Sequence, residues 1–76
     1  MNFFGYIEGN KDQLFKLSEV TLQADPIILK SVANFLLKCA QEMECNESWE
    51  HELYSDYLNT NNEPVDFIIF RDNSRK

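Results

Sequence analysis

Cys39, Cys45 and His51, each six positions apart, are of residue types that could hold a metal ion. A small zinc site needs pairs of ligands only a few positions apart, so that four of them converge. On a helix Cys39 and Cys45 would point to nearly opposite sides, so neither a zinc site nor a disulfide is expected of them. Glu50-His51-Glu52 places a base between two carboxylates, the ingredients of proton transfer. In an extended chain His51 points away from both neighbours. The sequence has no glycine-rich phosphate loop and no nucleophile motif, and only two glycines in all. No enzyme, no metal and no cofactor are expected.

The chemistry that remains is recognition. Between Lys38 and Arg71 there is no lysine or arginine, while Glu42, Glu44, Glu47, Glu50, Glu52, Asp56, Glu63 and Asp66 all fall there. The net charge of −6 is therefore concentrated in one half of the chain. Such a field repels nucleic acid and anionic lipid and draws cationic partners. Trp49, Tyr54 and Tyr57 stand among the carboxylates, and aromatic anchors inside a charged rim are the usual make-up of a protein interface. Glu47, Trp49, Glu50, His51, Glu52, Tyr54, Asp56 and Tyr57 are the candidate partner-binding residues.

A long helix must position this stretch. Asp25-Pro26 is a start signal, because the carboxylate can accept a free N–H of the first turn and proline has none to lose. Leu29, Val32, Ala33, Leu36, Ala40 and Met43 then recur at helical spacing, a stripe expected to be buried. Ile28, Phe35 and Cys39 widen it on one flank and Leu37 on the other, so the apolar arc covers roughly half the circumference. The helix is expected to run to about Cys45.

Residues 1–8 and 15–24 read as two strands joined by the turn cluster Gly9-Asn10-Lys11-Asp12, with a bulge near Ser18-Glu19 where the alternation changes phase. Ser48 to Tyr54 alternates as a third strand, although Trp49, Leu53 and Tyr57 also sit at helical spacing. Asn59 to Pro64 is a loop, Val65 to Arg71 a last strand interior to the sheet, and 72–76 a frayed tail. The expected fold is α+β, a two-layer sandwich with one central helix on a four-stranded, mainly antiparallel sheet in the order β-β-α-β-β. One helix covers one sheet face, so the other face, carrying some of Phe3, Ile7, Phe15, Leu17, Ile68 and Phe70, should meet a partner, and a homodimer is one way to cover it.

The 76 residues, 43% hydrophobic with ten aromatics, make one globular domain near the lower size limit for a self-sufficient core. No apolar run is long enough for a membrane span, and the N-terminus lacks the pattern of a signal peptide, so a cytoplasmic location is expected.

Residues 18–56 carry a resemblance. Ser18-Glu19-Val20-Thr21-Leu22, Ala24-Asp25-Pro26, the run Val32-Ala33-Asn34-Phe35-Leu36-Leu37 with Ala40 and Met43, and Trp49-Glu50-His51-Glu52 are similar to the immunity protein 32 family. These are small immunity proteins encoded beside bacterial polymorphic toxins. The resemblance implies a cytoplasmic protein that neutralises a cognate toxin by binding it, and carries no catalytic residues. That family tends to have a His-x-His pair after the helix, whereas here Leu53 stands two positions beyond His51. Toxins that cleave nucleic acid must be basic to hold phosphates, so the acidic half would suit a basic toxin. The alternative is a self-associating structural or regulatory module.

Overall fold

The computed structural model describes residues 1–59 and 65–72. Its elements are β1 (Phe3–Ile7), β2 (Asn10–Leu17), α1 (Pro26–Cys45), β3 (His51–Leu53), α2 (Tyr54–Leu58) and β4 (Ile68–Phe70).

α1 starts where the sequence indicates. The Asp25 carboxylate accepts the Ile28 N–H at 2.9 Å, Pro26 occupies the first turn, and the Asp25 carbonyl accepts the Leu29 N–H. The face that is buried differs from the expected stripe. Val32, Phe35 and Cys39 are buried, whereas Leu29, Leu36 and Leu37 stay exposed. The helix turns its Phe35 flank inward because that is where the aromatic side chains of the second half converge. Phe35 is fully buried, with its ring centroid 5.3 Å from those of both Tyr54 and Tyr57 and 6.4 Å from that of Phe67. Trp49, Leu58 and Ile69 close the cluster.

The four-stranded sheet expected from the sequence is not formed. Among the described residues there are two separate two-stranded antiparallel sheets, β1 with β2 and β3 with β4. The first pairs Phe3 with Leu17, Phe4 with Lys16 and Gly5 with Phe15, then shifts register so that Ile7 faces Asn10. Gly9 takes φ 80° at its turn, a conformation that costs glycine little. The irregularity thus falls beside the turn and not at Ser18-Glu19. The chain leaves the sheet after Leu17, and residues 19–25 have no ladder partner.

The β3–β4 ladder joins His51 to Phe70, Glu52 to Ile69 and Leu53 to Ile68, and it stops there. At Tyr54 the strand becomes α2, which brings Tyr54 and Tyr57, three apart, onto Phe35. Aromatic packing on the helix therefore ends the strand, and the helical spacing of Trp49, Leu53 and Tyr57 is not the one used, since of the three only Tyr57 lies in α2. A ribbon of two three-residue strands has no interior position for Val65–Arg71. Asn59 ends α2 in the left-handed region, with φ 59°. The rest of the expected loop, 60–64, and residues 73–76 of the tail lie outside the described residues. Among the described residues no helix is long and apolar enough to cross a membrane.

Candidate functional site

The segment after α1 is held by two cations that come from outside it. Lys38, on α1, donates to both Glu52 oxygens at 2.9 and 2.8 Å and reaches Glu42 at 3.0 Å. Its pKa is raised, first by the hydrogen bond to Glu52 and then by that to Glu42. Glu42 is held below the ordinary carboxylate range chiefly by its bond to Lys38, and it also accepts the Trp49 indole N–H at 3.1 Å. Arg71 acts on the backbone. Its Nε donates to the Trp49 carbonyl at 2.6 Å, and its Nη2 donates to the carbonyls of Met43 and Asn46, both at 2.8 Å. The last turn of α1 contains no basic residue of its own, so Arg71 provides the cation and the donors that its carbonyls lack. The Arg71 N–H also donates to the Glu50 carbonyl, continuing the β3–β4 ladder.

The eight candidate partner-binding residues divide into two sets. Tyr54 is buried, with its hydroxyl donating to Ser31 Oγ at 2.7 Å, and Trp49 and Tyr57 are half-buried against the core. Glu52 is half-buried under Lys38. Glu47, Glu50, His51 and Asp56 are exposed. The β3–β4 register explains the division: Glu52 and Ile69 share the face turned to α1, while His51, Ile68 and Phe70 share the outer face. The His51 imidazole lies flat on the Phe70 ring, with centroids 4.9 Å apart and planes 12° apart.

Phe70, 70% exposed, is thus the aromatic residue that the outer face presents; it was not among the eight candidate partner-binding residues. The alternation in Phe67-Ile68-Ile69-Phe70 placed it instead, with Ile68, on the sheet face that the helix leaves uncovered. Cys39 is buried in the core and Cys45 is exposed, and both are free thiols. Burial, the largest cause, raises the pKa of the Cys39 thiol. Among the described residues no three histidine, cysteine, aspartate or glutamate side chains are grouped to hold a metal ion.

A family model for immunity protein 32 matches residues 19–72, most of the chain. The chain belongs to the immunity protein 32 family. The match begins after β2 and extends through α1, β3, α2 and β4 to just past Arg71. Both bracing cations of this immunity protein, Lys38 and Arg71, fall within it, and the β1–β2 hairpin lies before it. No curated protein and no solved structure matches the chain.

Proposed function

We propose that this immunity protein is a non-catalytic, cytoplasmic binder that neutralises a cognate toxin by covering a basic surface on it. The contact surface is the outer side of the second half: Glu47, Glu50 and Asp56 around the His51–Phe70 stack. Trp49, Glu52, Tyr54 and Tyr57 frame it from beneath, fixing the segment to α1. The observation that carries this reading is the fate of Lys38 and Arg71. Both are committed to internal partners, so neither is available to neutralise the exposed Glu47, Glu50 and Asp56 that lie between them. A planar aromatic stack beside carboxylates suits an arginine of the partner, which can stack on the ring and pair with the acids.

The test is co-production of the chain with the toxin domain encoded beside it. Cells should survive, and the two proteins should co-purify as a complex of fixed stoichiometry. Killing that continues undiminished in cells that accumulate the folded chain would refute neutralisation.

A further inference from the structure

The part of α1 that the core leaves uncovered has a repeat of its own. Leu29, Ala33, Leu36 and Ala40 follow one another at spacings of four, three and four, the seam by which one helix packs along another. All four are exposed, and Leu37 beside them is 60% exposed. The alanines of this seam leave room for a close helix–helix approach. We propose that a second copy of this chain covers the seam, the two α1 helices packing antiparallel about a two-fold axis near Leu37.

Three observations favour a second copy as the occupant. The first is area. A folded chain of 9.0 kDa exposes about 4,900 Å². This one exposes 6918 Å², about 2,000 Å² more, shared between the α1 seam and the β1–β2 hairpin, whose β2 is exposed at seven of its eight positions; a stable dimer needs only about 800 Å² from each partner. The Cα radius of gyration, 13.4 Å against about 11 Å for a compact chain of this length, points the same way.

The second is charge. Residues 1–41 hold four acidic and four basic side chains, so the seam lies in the balanced half, and pairing there leaves both acidic halves free to face away. The third is register. Lys30, Leu37 and Glu44 lie seven apart on one flank of the seam, which puts Lys30 opposite Glu44 of the second copy, twice, when Leu37 sits at the axis. Neither has an ion-pair partner among the described residues. A toxin would cover the seam only when present, whereas the chain must fold whenever it is made.

The test needs no toxin, so it stands or falls separately from the immunity reading. Sedimentation equilibrium of the full chain at micromolar concentration should give twice 9.0 kDa, with a melting temperature that rises with protein concentration. Leu36→Glu should give a monomer. Lys30→Glu should weaken the dimer about tenfold, and adding Glu44→Lys to it should restore the dimer. These charge variants are on the surface, so they remain informative if Leu36→Glu fails to fold. A monomer whose melting temperature does not depend on concentration would overturn the proposal. So would a dimer indifferent to Lys30→Glu, or one that the second reversal does not restore.

Discussion

Asp66 shows how one side chain can be seen in a sequence without its task being visible. Its carboxylate accepts the Ser55 N–H at 3.1 Å, the Ser55 hydroxyl at 2.7 Å and its neighbour Phe67 N–H at 2.8 Å. It thereby caps α2, whose own N-cap, Leu53, has no side-chain acceptor. Burial pushes its pKa up, but the bonds from Ser55 and Phe67 outweigh that and the net shift is downward. A depressed carboxylate pKa contributes stability that is present above the ordinary aspartate value, about 4, and is lost as pH falls through the lower folded value. Stability should therefore be level near neutral pH and decline in the acid range below about pH 4. Asp66→Asn, which keeps an acceptor oxygen but cannot titrate, should make that decline shallower, as read from urea unfolding at pH 7 and pH 3. An acid limb identical in the two proteins would remove Asp66 from it. From the sequence, Asp66 counted only as one acid among eight, because Ser55 lies eleven positions away and nothing local links them.

The fate of α1 separates what local sequence determines from what it leaves open. Its start was legible because Asp25 and Pro26 act on the turn they adjoin. Which flank is buried was not, because an apolar arc of roughly half the circumference offers several faces and the choice rests with Tyr54, Tyr57 and Phe67. The strand ends were illegible for the same reason: alternation at Trp49–Leu53 continues until aromatic packing turns Tyr54 into a helix. Sheet membership depends on pairing between distant segments, so two short ribbons and one four-stranded sheet read alike. The candidate site was legible as an acidic stretch, but its division into frame and surface came from the β3–β4 register, which also set Phe70 against His51. The end of α1 depends on Arg71, donated from the far end of the chain. Arg71→Met should keep the packing of the stem but leave the carbonyls of Met43, Asn46 and Trp49 without their donor, lowering stability by about 2–4 kcal/mol. Arg71→Lys, with the charge but not the fork, should fall between them. Equal urea midpoints for all three would mean that the guanidinium does not hold the end of α1.

Over the whole molecule, charge and apolar surface are divided between two regions. The balanced half carries the exposed seam of α1, and the acidic half carries Glu47, Glu50, Asp56 and the His51–Phe70 stack. Such a division lets one chain offer an apolar face to a copy of itself and a charged face to a different partner. The proposed toxin contact through that charged face is tested most directly by stopped-flow association of the chain with its proposed cognate toxin domain, measured across a range of salt concentration. Salt should slow association steeply, since exposed charges are screened over about 10 Å at moderate ionic strength. Replacing Glu47, Glu50 and Asp56 together with lysine should slow it at low salt by about tenfold or more and flatten the salt dependence. The melting temperature should change little, because none of the three is buried. An association rate unaffected by salt and by the triple charge reversal would contradict recognition through the acidic half.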